Sequence, residues 1–277
     1  TGVGYPDGGE RFEAFWPADI HIVGKDILRF HAVFWPAFLL SAGVAPPLGV
    51  FAHGWWTVEG QKMSKSLGNV VDPYEMVATY GPDAFRYFLL REVPFGTDGD
   101  FSRKALVHRI NSELANDFGN LLNRSLGMLG KYFSGTVPPP ARPEEGEQAL
   151  KAKAEEVLRA VDGAMEELEL NRALSAIWDL VKAGNKYVDS TAPWTLAKDP
   201  ARRERLGTVL YTVLETARIC ILLSAPFVPV AAQKMWEALC CEGAVEKAVL
   251  STAGRWGGLS EGATLARSAV VFPRIEE

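Results

Sequence analysis

Cysteine is scarce in this sequence, with three in 277 residues. They are Cys220 and the adjacent pair Cys240 and Cys241, and no two stand in C-x-x-C spacing. An odd, sparse set argues for a reducing compartment and against a disulfide framework or a zinc site. No apolar run reaches the ~18 residues that crossing a bilayer needs, and no signal peptide opens the chain. Basic charge is not in excess either. The net charge is −5, so any contact with nucleic acid has to rest on local patches rather than on overall attraction. Short-period repeats and low-complexity tracts are missing. These absences lead to the expectation of a soluble, cytoplasmic chain without a membrane partner. Its 48% hydrophobic content is enough to bury a sizeable core in one or two domains.

The opening, Thr1-Gly2-Val3-Gly4-Tyr5-Pro6-Asp7-Gly8-Gly9, reads as a loop cut from the middle of a longer protein. From Asp19 to Gly54 the pattern is strand, helix, strand. Asp19 to Val23 alternates polar and apolar residues and ends in a Gly24-Lys25-Asp26 turn, Ile27 to Leu40 has helical spacing with a possible kink at Pro36, and Leu48 to His53 reads as a second buried strand. Such a unit implies parallel strands, and ligands of parallel sheets sit at the carboxyl ends of their strands. Farther on, Asp72-Pro73-Tyr74-Glu75 carries a helix start, with an Asp cap and Pro at the first helical position. Beyond Phe101 strand signals fade. Helices are predicted over about 102–132, 146–169, 171–190, 201–224 and 227–241, with an extended Pro-rich linker from Ser134 to Pro143. The expected organisation is α/β plus all-α: a partial α/β domain over 1–70, a helical linker over 71–100, a helical bundle over 101–242 and a Gly-rich tail over 243–277.

Between the Glu59-Gly60 turn and the Asp72 helix start lies Lys62-Met63-Ser64-Lys65-Ser66-Leu67-Gly68-Asn69. Two lysines three apart, with Ser64 between them and Ser66 just after, make a mobile cationic loop suited to wrapping a triphosphate. Each ammonium offers three donors, and Ser64 and Ser66 can each donate to a phosphate oxygen. A solvated basic surface loop is the bland alternative. Asp26, just past a strand end, is either a helix N-cap or a carboxylate placed to accept two ribose hydroxyls. His31, among the aromatics Phe30, Phe34 and Trp35, is either a core residue or part of a pocket wall. Aromatic walls suit a polarisable thioether. Asn120 and Arg124, four apart on one predicted helix, share a face and could read an unstacked base edge or simply meet solvent. Trp194, in Ala192-Pro193-Trp194 after a helix-ending proline, is either a core plug or a stacking platform. Arg86, Arg91, Arg103, Lys104 and Arg109 are ordinary surface charges or contacts for RNA phosphates.

The pentapeptide KMSKS at 62–66 resembles the second signature of class I aminoacyl-tRNA synthetases. The string Gly24-Lys25-Asp26-Ile27-x-x-Phe30-His31-x-x-Phe34-Trp35-Pro36 resembles a segment of the methionyl-tRNA synthetase family in particular. The resemblance runs from about Phe15 to Glu242 and implies the C-terminal part of a Rossmann-like catalytic domain followed by a helical anticodon-binding domain. In that family the activity is methionine–tRNA ligation through methionyl-adenylate, with methionine, ATP with Mg2+, and tRNA(Met) as partners. Carried onto this chain, Lys65 would contact the departing pyrophosphate while Lys62 positions the loop with Ser64 and Ser66. Asp26 would hold the adenosine ribose, and Phe30, His31 and Trp35 would border the methionine pocket. Asn120, Arg124 and Trp194 would read the CAU anticodon. The other class I signature is absent, His21-Ile22-Val23-Gly24 being only a superficial echo, and the resemblance places that signature and any zinc-bearing insertion upstream of Thr1. The chain alone is therefore expected to lack adenylation activity. The alternatives are a class I synthetase for leucine, isoleucine, valine or cysteine, and a synthetase-derived tRNA-binding module without chemistry.

Overall fold

A computed structural model describes residues 2–64, 66–265 and 270–276. The chain divides into two compact units, Thr1–Val70 with Phe95–Phe101, and Val71–Pro94 with Ser102–Glu277.

The first unit opens with a short helix α1 (Glu10–Phe15) and then delivers the expected strand–helix–strand run. β1 (His21–Gly24) lies parallel to β2 (Val50–His53), paired from His21 with Val50 to Gly24 with His53. The connection is not one continuous helix. A 3-10 turn at Lys25–Ile27 leads to a π-helical stretch, Phe30–Phe34, and only then to α2 (Trp35–Ser41). Pro36 explains the position of the change. It has no N–H to donate to the carbonyl four residues back, so the turn preceding it widens.

A second sheet was not anticipated. β3 (Trp56–Val58) pairs antiparallel with β4 (Gln61–Lys62) and parallel with β5 (Gly99–Phe101), in the order β4-β3-β5. The hairpin closes through Glu59 (φ 50°) and Gly60 (φ 77°). Both are left-handed, as a two-residue turn of type I′ requires. Asp100 braces it, accepting from the Thr57 hydroxyl at 2.6 Å and the Gly60 N–H at 2.8 Å. The ring of Phe95 stacks on Phe51, centroids 4.5 Å apart, which ties the 95–101 segment to β2.

In the second unit, α3 (Pro73–Tyr80) begins as the sequence leads one to expect, with the Asp72 carboxylate accepting the Tyr74 N–H at 2.8 Å. After α4 (Pro82–Glu92) the bundle comprises α5 (Arg103–Arg109), a π-helical run Ile110–Gly119, α6 (Asn120–Phe133), α7 (Glu145–Glu166), α8 (Leu170–Thr191), a short α9 (Pro193–Leu196), α10 (Arg203–Ser224), α11 (Pro229–Ala238) and a final turn α12 (Leu250–Ala253).

α10 is the centre of this unit. The segment Pro200–Ser224 contains an apolar window of mean hydropathy 1.6, long enough to cross a bilayer by length and composition, and that window is wholly buried. This corrects the expectation that no apolar run is so long. A helix surrounded by other helices is apolar on every side because it has no solvent face. Within it, Glu215 and Arg218 are buried side by side, with two Arg218 nitrogens donating to the two carboxylate oxygens at 2.8 and 2.7 Å. Glu215 also accepts the N–H groups of Gly257, Gly258 and Leu259. Arg218 donates in addition to the carbonyls of Ala253 and Arg255. The Gly-rich tail, opaque in the sequence, is thus seated on a buried ion pair.

A second polar cluster links α7, α8 and α10. Glu147 accepts from Arg205 at 2.8 Å and from the Tyr187 hydroxyl, and closes a capping box by accepting the Glu144 N–H at 2.7 Å. Burial pushes the Glu147 carboxyl up, but these hydrogen bonds outweigh it and hold it below its usual value.

Two outcomes follow from these clusters. Arg218→Leu should leave Glu215 buried without a counter-charge and lower stability by about 3–5 kcal/mol, read as a lower urea midpoint by circular dichroism; an unchanged midpoint would contradict the assignment. Because the folded-state pKa of Glu147 is depressed, its contribution is complete above the unfolded value of about 4.3 and is lost as pH falls through the folded value. Glu147→Gln should therefore flatten the acid limb of the stability–pH curve. A variant with the same acid dependence as wild type would sink the idea.

Candidate functional site

The carboxyl ends of β1 and β2 and the β3–β4 hairpin assemble one polar cluster in the first unit. Lys25, directly after β1, places its ammonium 2.6 Å from both oxygens of Asp98 and 4.2 Å from the ring centroid of Trp55. The hydrogen bond from Lys25, followed by that from the Trp55 backbone N–H (2.9 Å), holds the Asp98 carboxyl below its usual value. Asp26 is exposed, and its Oδ1 lies 3.3 Å from the Trp55 indole nitrogen, which donates to it. The N-cap position of the turn belongs to Gly24 rather than Asp26. The carboxylate is thus directed toward Trp55 and solvent instead of closing the helix.

Lys62 is the last residue of β4, so the motif loop starts at the strand end itself. Its ammonium lies 6.0 Å from the Trp55 ring centroid. Asn69 brackets the loop, its side-chain carbonyl accepting the Ser64 N–H at 2.8 Å and its amide donating to the Lys62 carbonyl at 3.2 Å. The hydroxyls of Ser64 and Ser66 are 2.7 Å apart. Only one hydrogen can lie between them, which leaves the other hydroxyl proton free to reach a ligand. Lys65 lies outside the described residues.

Phe30, His31 and Trp35 come together, with Phe34, Phe38 and the β1 residues Ile22 and Val23, around an open groove of about 600 Å³. His31 Nδ1 is 3.0 Å from the Ile27 carbonyl. A carbonyl oxygen only accepts, so Nδ1 carries the proton, and in the neutral ring Nε2 is left as an acceptor. The His31 ring stands edge-on to that of His21, with centroids 6.4 Å apart, and Trp35 stands edge-on to Trp16 at 6.3 Å. Phe30 is 58% exposed, so this wall faces outward and is not a sealed core.

On the helical unit, Arg124 donates to Asp189 at 2.8 Å and lies 5.9 Å from the ring centroid of Trp194. Trp194 is 43% exposed, which excludes a core plug. The chain turns here because Ala192 adopts a left-handed conformation (φ 43°) that ends α8. Pro193 opens α9 and does not itself end the preceding helix, as the sequence led one to expect. A strained non-glycine residue at such a turn indicates a geometry that its surroundings enforce. Asn120 is the first residue of α6, one turn before Arg124 and on the same face.

Among the described residues, four of the five further cations have protein partners. Arg86 donates to the Pro226 carbonyl, Arg91 to Ser175, Arg103 pairs with Glu75, and Arg109 bridges Glu92 and Glu113. Sequence reasoning missed Lys25, Trp55 and Asp98 as a unit. Nothing in the spacing signals that residues 43 positions apart, Trp55 and Asp98, meet through the parallel pairing of β3 with β5. Among the described residues no group of three or more His, Cys, Asp or Glu gathers to hold a metal ion.

Comparison with known proteins accords with this arrangement. Residues 4–126 match the family described as tRNA synthetases class I (M), and residues 137–277 match the anticodon binding domain of methionyl tRNA ligase. The methionine–tRNA ligase of Caldanaerobacter subterraneus subsp. tengcongensis is 50% identical over the whole of this chain, which covers 43% of that protein. The Fusobacterium nucleatum enzyme of the same name is 45% identical, with all of this chain and 44% of that protein covered. A structure of Mycobacterium tuberculosis methionyl-tRNA synthetase in complex with methionyl-adenylate superposes with a TM-score of 0.93 at 44% identity, over 99% of this chain and 53% of that one. The chain thus spans less than half the length of the curated relatives it matches.

Proposed function

Since this chain belongs to the methionyl-tRNA synthetase family, we propose that it forms the nucleotide-loop and anticodon-binding part of a methionine–tRNA ligase. The complete enzyme joins methionine to ATP, releasing pyrophosphate, and passes the methionyl group from the adenylate to tRNA(Met). The observation that carries this reading is the convergence of Asp26 and Lys62 on one side chain, Trp55, beside an aromatic groove that contains His31.

In the proposed reaction the methionine carboxylate attacks the α-phosphate and negative charge spreads over the departing pyrophosphate, so positioned cations lower the barrier. Lys65 would meet that charge. Lys62 anchors the loop at the strand end, and Ser64 or Ser66 offers a hydroxyl to a phosphate oxygen. Asp26 accepts the ribose hydroxyls, with Mg2+ entering as the partner of ATP. Phe30 and Trp35 border the thioether. His31, with Nδ1 donating to a carbonyl and Nε2 left as an acceptor, acts by packing and hydrogen bonding near the thioether. On the helical unit, Trp194 presents an exposed face for a splayed base, while Asn120 and Arg124 offer an amide and a planar donor fork to base edges of the CAU anticodon. Its setting is the cytoplasm.

By itself the chain should bind anticodon RNA and form no adenylate. A fluorescence titration at fixed moderate salt should give tighter binding to a CAU stem-loop than to one differing only in those three bases. Trp194→Ala should weaken the CAU complex by about 5- to 100-fold, the value of one base–aromatic stack, with helix content unchanged. Equal, salt-sensitive binding to both RNAs would reduce the contact to phosphate attraction. In the full-length enzyme Lys65→Ala should slow adenylate formation far more than it weakens methionine binding, and the opposite ranking would overturn the role assigned to Lys65.

A further inference from the structure

Trp55 touches both halves of the nucleotide cluster, and no other described side chain there does so through two different kinds of contact. Its edge carries the single indole N–H, which donates to Asp26 Oδ1 at 3.3 Å. Its face receives Lys25 at 4.2 Å and, at the outer limit of cation–π range, Lys62 at 6.0 Å. The two cations are not equivalent. Lys25 is paired with both oxygens of Asp98 at 2.6 Å, so it braces the ring. Lys62, at the end of β4, has the exposed loop beyond it.

The ring is also held firmly. Asp98 accepts the Trp55 backbone N–H at 2.9 Å, so one carboxylate fixes both the backbone of Trp55 and the cation on its face. The preceding residue has to be glycine, because a Cβ on Gly54 would lie 2.1 Å from the Thr97 carbonyl oxygen. That close approach presses the chain at Trp55, just before β3, against the 95–101 segment. An indole N–H donates and cannot accept, so its one bond is directed at a carboxylate.

We propose that Trp55 is a positioning residue for adenylate formation, a single indole that orients the Asp26 carboxylate through its N–H and docks Lys62 on its ring face. The inference rests on the functional reading above and extends it to a side chain outside the signature loop. Its consequence is mechanical. The ribose-side acceptor and the first residue of the loop are referred to the same rigid group.

The test is methionine-dependent ATP–pyrophosphate exchange by the full-length enzyme, with ATP varied. Trp55→Phe keeps a ring face and removes the N–H. It should raise KM for ATP about fivefold, the loss of one hydrogen bond, and leave kcat within about twofold. Trp55→Leu removes the N–H and the ring face and should also lower kcat about three- to fivefold, the value of an exposed cation–π contact. In a Lys62→Met background the same leucine substitution should leave kcat nearly unchanged, since the partner it acts through is gone. An equal fall in kcat in both backgrounds would overturn the proposal, as would an unaltered KM for ATP in Trp55→Phe. Because phenylalanine fills most of the indole volume, Trp55→Phe decides the matter by itself if the leucine variant fails to fold. Wild-type enzyme with no exchange at all would remove the functional reading and this proposal with it, whereas normal wild-type exchange with additive variants would remove this proposal alone.

Discussion

The helical unit is organised around a carboxylate and a guanidinium that never meet water. Glu215 and Arg218 sit three residues apart on α10, 0% and 2% exposed, and between them engage backbone groups of five residues from Ala253 to Leu259. Removing two charges from water costs several kcal/mol per ion unless every donor and acceptor is matched. Here that demand is met by the tail, which has little secondary structure of its own and follows the path that satisfies the pair. The tail then continues into the bundle's other partners. Thr136 bridges to Thr264, and Asn111 exchanges two hydrogen bonds with the Ile275 backbone. An apolar substitute of similar volume would hold α10 in the core, but it would not specify where the tail goes.

The same logic of matched charge operates at the cluster around Trp55 with the opposite exposure. Asp98 and Lys25 pair at 2.6 Å on a surface open to solvent, where an ion pair contributes little to stability. Their value lies in geometry. The pair fixes a tryptophan whose edge and face address two different groups, Asp26 and Lys62. Asp100, one strand position from Gly99, does the equivalent for the hairpin turn by accepting from Thr57 and Gly60. A three-residue strand that carries neither motif nor periodicity, β5, therefore supports the scaffold beneath the KMSKS loop.

The surface around Trp194 is built differently, from one turn of α6 and one left-handed residue. Ala192 rotates the chain so that Pro193 starts a new helical turn and the next side chain, Trp194, projects into solvent within cation–π distance of Arg124. Arg124 is held by Asp189 from α8. The guanidinium is therefore held in one orientation by a carboxylate from the neighbouring helix.

Much of this was legible in the residues alone. Parallel pairing of β1 with β2 followed from alternation, turn and helical spacing, and the Asp72 cap and the bundle helices followed from capping chemistry and amphipathic period. KMSKS and the Gly24–Pro36 string carried the family resemblance, because backbone chemistry and side-chain type are local properties. Other features were decided only by the tertiary structure. The β4-β3-β5 sheet rests on strands of two and three residues, too short for any period to register. Trp55, Lys25 and Asp98 meet only because β5 returns beside β3 after 40 residues of intervening chain. The tail is placed by a buried pair on α10, whose all-round apolarity hid the two charges that direct it. Local pattern determines which segments become helices and strands. Which distant side chains share a site is determined by long-range pairing and by the need to satisfy buried polar groups, and neither is written in any one stretch of sequence.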